Sequence, residues 1–359
     1  MNIGILTFYR ANNYGAMLQC YSLVKNVRKY NMDTEVIDYV APGIEEQYSN
    51  KHLWRYGLKV LASHYIKMFL RSKKNSRFES FRMLIPHSVP YEQEELTSTN
   101  DKYDCFIVGS DQVWNFKSNH EDEMFFLPFV TSNKKKYSYA ASFGSDAFDS
   151  SLQGRYKKLL EGFQRISIRE ISGKEYVLNK LHLPCTVNID PVFLSTSQEW
   201  GELADQIGRI VENKYILVYQ LLKSERMISY AKKLASDRNI KVVIISLSLY
   251  RDKSFIDKSD VGPIEFLNLF KYSDAVITDS FHGTAFALLF EKELFLDFHE
   301  KSRTKTRLDS LSDVLSFGNR WISGGKLDPI DFSVVNKAIQ HERQIGIEYI
   351  KEICKNNQL

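Results

Sequence analysis

The chain has 359 residues, 43% hydrophobic, 26% charged and 13% aromatic, with 17 Gly and 8 Pro. That length fits about two globular domains, and the composition excludes disordered, collagen-like and Pro-rich linker proteins. Lys and Arg number 48 against 44 Asp and Glu, and the net +4 is too mild to argue for nucleic-acid binding.

Ile3 to Phe8 is a near-continuous apolar run of strand length. Its opening residues carry no basic region and too short an apolar run for a signal peptide. A polar turn, Arg10 to Gly15, follows. Ala16 to Tyr30 then places Met17, Leu18, Tyr21, Leu23, Val24 and Val27 at helical spacing, and Thr34 to Val40 reads as a second strand. This is a βαβ unit with strands apolar enough for a parallel sheet covered on both faces. Lys51 to Arg82 reads as a basic, aromatic helix. Five Lys and four Arg stand there against Glu79 alone, a local +8, so the rest of the chain carries −4.

Tyr103 to Gly109 is a buried strand leading into Ser110-Asp111-Gln112. Lys136 to Phe143 is a strand, Ser151 to Phe163 a helix, Ser167 to Glu170 a short strand and turn, and Gly173 to Leu181 a helix. Thr186 to Ile189 runs into Asp190-Pro191, and the stretch from Asp190 to Asn213 reads as a linker. A second α/β series follows: strands at Tyr215 to Leu221, Lys241 to Leu247, Asp274 to Thr278 and Leu294 to Leu296, with helices at Ser224 to Arg238, Pro263 to Tyr272 and Phe281 to Phe290. Ser333 to Cys354 is a long terminal helix. The expected architecture is α/β, with two Rossmann-like domains facing across a cleft. Residues 1–195 form the first, 196–332 the second, and 333–359 a helix that can cross back. The cleft is the default ligand site.

The sharpest chemical signal is Asp274 to Ala285 (DAVITDSFHGTA), where a buried strand ends in a polar turn and a helix begins at once. Strand ends of this kind bind ligands in open α/β sheets, and a helix start favours anions. Ser280 and Thr284 belong to that start, Gly283 lets backbone approach a ligand, and His282 can move a proton near neutral pH. The alternative is that Asp279 or Ser280 simply caps the helix and His282 packs. Asn12 and Asn13 before Gly15 can bind a ligand or cap the first helix. Ser110 and Asp111 occupy a third strand end, with Asp111 a base or a cap. Arg169 stands in an otherwise apolar and hydroxyl-bearing strand beside Glu170. Arg303, Lys305 and Arg307 follow the last strand, and guanidinium forks suit carboxylate or phosphate.

The sequence contains no GxGxxG, HExxH, Walker A or Asp-rich loop, so no dinucleotide, metal or other cofactor is expected. Cys20, Cys105, Cys185 and Cys354 make no CxxC pattern. They fit a reducing, cytoplasmic compartment, and no stretch reaches the roughly 18 apolar residues of a membrane span.

Taken together, GILTFYRANNYGAMLQCYSL, VIDY, YDCFIVGSDQVWN, YSYAASFG, SIREISG, NIDPVFL and VITDSFHGTAFALLF, with Arg307 downstream, resemble the polysaccharide pyruvyl transferases over nearly the whole chain. The resemblance implies a GT-B-like fold. It also implies transfer of pyruvate from phosphoenolpyruvate to a sugar, usually as a ketal on two hydroxyls of a bacterial cell-surface polysaccharide precursor. It makes phosphoenolpyruvate a substrate, the sugar a galactose type, and the precursor a lipid-linked acceptor that the 51–82 segment can approach at the inner membrane face. His282 matches the family histidine and Arg169 the family arginine of its short strand. Many members have Arg-Leu-His where this chain has Ser280-Phe281-His282, and Asn-x-Gly-Asp where it has Asn13-Tyr14-Gly15-Ala16. The assignment that follows takes His282 and Asp111 as acid/base and orienting groups. Arg169, Ser280, Gly283, Thr284 and Arg307 are on the donor, and Asn12, Asn13, Gly15 and Ser110 on the acceptor. Two other readings remain at this point: a nucleotide-sugar glycosyltransferase of the same fold, and a non-catalytic sugar-phosphate-binding protein.

Overall fold

Strands buried on both faces need apolar residues at successive positions, and the first strands of this chain meet that condition. A computed structural model describes residues 1–48, 72–132, 134–144, 148–246, 252, 254–298, 304–323 and 327–355. These fall into two compact units. The first lies within residues 1–48, 79–194 and 342–355, the second within 72–78 and 195–341.

In the first unit β1 (Ile3–Leu6) leads to α1 (Tyr14–Arg28), β2 (Thr34–Val36) and a short helix α2 (Pro42–Tyr48). A helix over 72–82, α3, begins in the second unit and ends in the first. β3 (Cys105–Val108) and β4 (Lys135–Ser138) complete a parallel sheet in the order β2-β1-β3-β4. After α4 (Gln153–Leu160) come β5 (Ile166–Ile168), α5 (Ile171–Tyr176) and β6 (Cys185–Val187). β5 pairs in parallel with β6, and the bridges Tyr137–Arg165 and Ala141–Ile168 join this pair to the β4 edge. β1 and β3 are buried at every residue.

The second unit opens with α6 (Ser197–Ala204) and holds β7 (Tyr215–Gln220), α7 (Glu225–Arg238), β8 (Lys241–Ser246) and β9 (Ile256–Asp257). It continues through α8 (Pro263–Tyr272), β10 (Ala275–Thr278), α9 (Phe281–Leu289), β11 (Glu293–Leu296) and α10 (Thr304–Leu315). Its sheet is parallel in the order β11-β10-β7-β8-β9, with Ile277 opposite Val218. Strand side chains alternate between faces. Ile216, Val218, Val242, Ile244, Ala275, Ile277 and Phe295 pack with Met227, Ile228 and Ala231 of α7. Tyr219 points the other way, edge-on to Phe266 and Phe270 of α8, and Phe286 of α9 packs on Phe266. Helix α7 therefore covers one face, and α8 and α9 the other.

The terminal helix α11 (Phe332–Lys355) starts in the second unit and ends in the first. There Tyr349 Oη donates to the Ser138 carbonyl at 3.0 Å, and Arg343 Nε to the Phe193 carbonyl at 2.7 Å. Among the described residues, no helix is long and apolar enough to cross a membrane.

Several expected elements change. The strand read as Thr34 to Val40 stops at Val36, because the chain beyond it bonds to Ser88 and Tyr91 instead. The strand read to Phe143 stops at Ser138, and Ala140 takes a left-handed φ of 47°. The helix read as Gly173 to Leu181 becomes α5 followed by a π turn over Val177–Leu181. The stretch read as a linker contains a 3-10 turn capped by Asp190 and helix α6, whose capping box joins Thr196 and Glu199. Of the basic 51–82 segment, residues 51–71 lie outside the described residues.

Gly346 marks where α11 seats on the first unit. A Cβ there would run into the Tyr139 hydroxyl and sit 2.9 Å from Leu194. Gly154, in the first turn of α4, would gain a Cβ with nothing within 4 Å. The two Gly→Ala substitutions should therefore act with opposite sign. Gly346→Ala should destabilise by about 1–3 kcal/mol through overpacking. Gly154→Ala should stabilise by about 0.5–1 kcal/mol through reduced chain entropy. Paired thermal melts decide it, and a neutral Gly346→Ala would contradict this seating of α11.

Candidate active site

Strand order locates the ligand-binding edge in each unit. Where neighbouring strands send their following helices to opposite faces, the loops part and leave a crevice at the carboxyl ends. In the first unit the order β2-β1-β3 puts that point between β1 and β3. In the second it lies between β7 and β10, because α7 and α9 cover opposite faces.

In the first unit the loop after β1 is held from several sides. Arg10 forks Asp38 through Nε at 2.6 Å and Nη2 at 3.0 Å. Arg82, at the end of α3, donates to the carbonyls of Tyr9 and Arg10 and to Asn12 Oδ1. Asn13 Oδ1 accepts the Ala16 N–H at 3.2 Å, so Asn13 caps α1, and Gly15 is buried inside that helix. The loops after β1 and β3 are joined by a chain of hydrogen bonds: Gln19 Nε2 donates to Thr7 Oγ1 at 3.0 Å, and Thr7 Oγ1 donates to the Ser110 carbonyl at 2.9 Å.

Ser110 was expected at the acceptor. Its hydroxyl is instead wholly buried, donating to the Ala140 carbonyl at 2.8 Å and contacting Asp190 Oδ2 at 3.2 Å. Asp111 next to it is half-buried and left-handed at φ 71°, a conformation that Asp tolerates better than most residues.

Arg169, expected on the donor anion with Glu170 as its possible partner, is engaged on three sides. Its side chain is 3% exposed, with Nη1 2.9 Å from Asp190 Oδ2, Nε 3.0 Å from Glu170 Oε1 and Nη2 3.1 Å from Ser142 Oγ. Burial pulls the Arg169 pKa down, but the charges of Glu170 and Asp190 carry it above the ordinary arginine value. The group is a fixed cation that draws together the ends of β4, β5 and β6. Asp190, read from the sequence as a linker residue, is its wholly buried partner. The Asp190-Pro191 pair resembled a chain break, and no local pattern marked its long-range partner.

In the second unit three loops meet at the carboxyl edge. Asp279, just past β10, accepts the N–H groups of Leu221 at 2.7 Å and Leu222 at 3.1 Å. Burial raises its pKa above the usual carboxylate range, opposed by those hydrogen bonds. Asp297, just past β11, accepts from Ser224 Oγ and Arg226 Nε, each at 2.7 Å, while its own N–H donates to the Thr278 carbonyl. Neither Asp297 nor Arg226 stood out in the sequence.

Ser280 Oγ accepts the Gly283 N–H at 3.3 Å and caps α9. Thr284 is buried and its hydroxyl donates to the Ser280 carbonyl at 3.0 Å, so it serves the turn. Gly283 is required by close packing of helix on strand: a Cβ would come 2.5 Å from Thr278 Oγ1 and 2.9 Å from Tyr219 Cδ1. These contacts, rather than a ligand's approach, account for the glycine. His282 occupies the second position of α9 with 9% exposure, its ring 5.3 Å from that of Phe281. Arg307 is half-buried on α10, Lys305 pairs with Asp309, and Arg303 lies outside the described residues.

A family model described as polysaccharide pyruvyl transferase matches residues 13–296. No curated protein matches the chain in sequence. Among solved structures, UDP-GlcNAc 2-epimerase from Methanocaldococcus jannaschii is 12% identical, with a TM-score of 0.53 over 95% of this chain and 92% of that one. The Methanocaldococcus jannaschii enzyme in complex with UDP-GlcNAc and UDP is 13% identical, with a TM-score of 0.51 over 96% and 93%. At these identities the likeness is one of fold. The neighbours have the GT-B fold, and this chain shares that class, α/β with parallel sheets.

The Arg169 cluster yields a stability prediction. Arg169→Met would strand Glu170 and Asp190 in the interior without a cation, at a cost of about 3–5 kcal/mol. Urea unfolding should show that loss, and Arg169→Met combined with Glu170→Gln and Asp190→Asn should recover much of it. An unmoved midpoint in the single variant would rule out a structural role for the guanidinium.

Proposed function

Since the chain belongs to the polysaccharide pyruvyl transferase family and is therefore a transferase, we propose that it takes pyruvate from phosphoenolpyruvate. The acceptor is a sugar of galactose type in a cell-surface polysaccharide precursor, closed into a ketal. The observation that carries this reading is the β10–α9 turn of the second unit. His282 stands there in the first turn of a capped helix, at the carboxyl end of β10 and beside the strand-order crevice. A helix start favours a phosphate or carboxylate, and phosphoenolpyruvate carries both.

The chemistry needs one group able to give and take a proton. His282 delivers a proton to the methylene carbon of phosphoenolpyruvate, leaving an oxocarbenium-like centre at the adjacent carbon. A sugar hydroxyl attacks that carbon and gives up its proton. The carbon–oxygen bond to phosphate breaks, a second hydroxyl closes the ketal on the carbon so exposed, and its proton leaves with the phosphate. The net products are the ketal and inorganic phosphate. Arg307 is assigned to the donor anion. Asp111 is assigned to orienting the acceptor hydroxyls, with Asn12 and Asn13 on the same loop edge of the first unit. Arg169 and Ser110, both buried, act as positioning residues for Asp111. No cofactor enters this scheme.

Incubation with phosphoenolpyruvate and a model galactoside should release phosphate and yield a pyruvylated sugar. No release across a panel of galactosides would overturn the reading. His282→Gln should cut turnover by about 10²-fold or more, the usual scale for an acid/base group. Its donor affinity, measured by calorimetry, should change far less. Near wild-type turnover in a less stable His282→Gln protein would make the histidine structural.

A lipid-linked acceptor would bring the enzyme to the inner face of the cell membrane from the cytoplasm. Its basic stretch, Lys51 to Arg82, then meets anionic lipid, at about 1 kcal/mol per basic residue near the surface. Flotation with anionic liposomes should occur at low salt and fade as salt rises. Absence of flotation at low salt would remove this element of the proposal.

A further inference from the structure

We propose that Arg320 is the receptor of a small oxyanion, a phosphate or carboxylate group, at the β11 edge of the second unit. This site does not depend on which donor the enzyme uses. Residues 320–322 run beside β11, the last strand in the sheet order. The Leu296 N–H donates to the Arg320 carbonyl at 2.7 Å and the Ile322 N–H to the Leu296 carbonyl at 2.9 Å, with Leu296 opposite Trp321 in a parallel bridge. One step back, this register sets Arg320 beside Phe295. Paired residues of neighbouring strands share a face, and side chains alternate along each strand. Phe295 and Ile322 both pack in the cluster under α7. Arg320 therefore stands on the face that α7 covers, whereas α9, which carries His282, covers the other.

Arginine is almost never buried without an acidic partner. Among the described residues, Arg169 and Arg320 are the arginines buried to nine-tenths or beyond. Arg169 has two carboxylates and a hydroxyl. Arg320, 6% exposed, has no carboxylate among the described residues. Its Nε donates to the Asn319 carbonyl at 2.7 Å, and neither Nη group donates to a described residue. Asp328 and Glu293 act on its charge without forming an ion pair with it, and Glu293 is forked by Arg238 at 2.5 and 3.0 Å. Burial accordingly pulls the Arg320 pKa below the ordinary arginine value, against the opposing charges of those two acids. The guanidinium keeps its proton all the same.

Tyr230 of α7 adds a hydroxyl. Its ring centre lies 5.1 Å from that of Phe295, the register neighbour of Arg320, and its side chain is within electrostatic reach of the guanidinium. Tyr230 Oη bonds to no described residue, and burial raises its pKa, so it remains a donor at neutral pH. Neither this oxygen nor the Arg320 Nη groups are sealed from solvent. The edge thus presents a planar pair of N–H groups and a hydroxyl, with one uncompensated positive charge. Two parallel N–H groups match two oxygens of a carboxylate or phosphate. The Nε bond to backbone orients the fork before the anion arrives. An arginine that merely laid its stem on the surface would keep its head in water and stay far more exposed.

The test is calorimetric titration of the full chain at low salt with inorganic phosphate and, separately, with pyruvate as a carboxylate. Arg320→Met should weaken whichever anion binds by about 10-fold or more, the scale of losing a charge-assisted pair of hydrogen bonds. Without either anion, Arg320→Met should melt at or above the wild-type temperature, because it removes an uncompensated charge from a nearly buried place. Arg320→Gln takes its place if the methionine packs badly. Arg320-dependent binding of phosphate, of pyruvate or of both supports the site and identifies the oxyanion it takes. His282→Gln should retain that binding. Binding abolished by His282→Gln and kept by Arg320→Met would put the ion at the β10–α9 turn, overturning this proposal while sparing the donor reading. Absence of Arg320-dependent binding of either anion overturns it as well. So does a fall in melting temperature, or failure to fold, in both Arg320 variants, which would make the guanidinium a structural donor.

Discussion

Asp190 is wholly buried, with one oxygen on Arg169 and the other on the Val192 N–H. A carboxylate in that position is costly to keep out of water unless each of its oxygens has a partner. Its partner Arg169 also meets Glu170 and Ser142, which stand at the ends of different strands. The ends of β4, β5 and β6 must therefore keep their spacing or leave a charge unpaired. The half-buried, left-handed Asp111 sits on the rim of this network, its carbonyl accepting the Ser142 N–H. The network thus constrains a half-buried acidic side chain of that edge.

The second unit solves the same problem with different residues. Parallel strands end in loops whose N–H groups need acceptors once they are covered. Asp279 supplies them to Leu221 and Leu222, and Asp297 ties the start of α7 to the end of β11. Both carboxylates serve as loop anchors more than as reagents. The anchoring also explains why hydroxyls that looked available in the sequence are committed: Ser280 caps α9, and Thr284 closes the same turn.

Buried ion pairs often add little net stability, because desolvation offsets attraction. Their value here lies in specificity of position. Arg169 with two acids, and Arg226 with one, each fix a loop that the apolar cores of the sheets do not reach. A core of Ile, Val and Phe sets which faces pack, but apolar contacts are non-directional and do not set the angle of a turn. Directional bonds at the carboxyl edges supply what the core lacks.

The sequence by itself determined the two α/β series, the strands of β1, β3, β7, β8 and β10, and the turn before His282. Those features are local: continuous apolar runs, helical spacing and a strand end followed at once by a helix start. It also carried the family likeness through ordered motifs. The tertiary structure decided what sequence distance conceals. Asp190 looked like a linker residue until it met Arg169, 21 positions away. Arg226 and Asp297, 71 apart, became a pair only when β10 came between their strands. Gly283 looked like room for a ligand, and packing against Thr278 and Tyr219 gave its reason instead. Hydrogen bonds and charges are settled by the nearest partner in space. Hydrophobic periodicity fixes which face turns inward, but not which distant residue that face will meet.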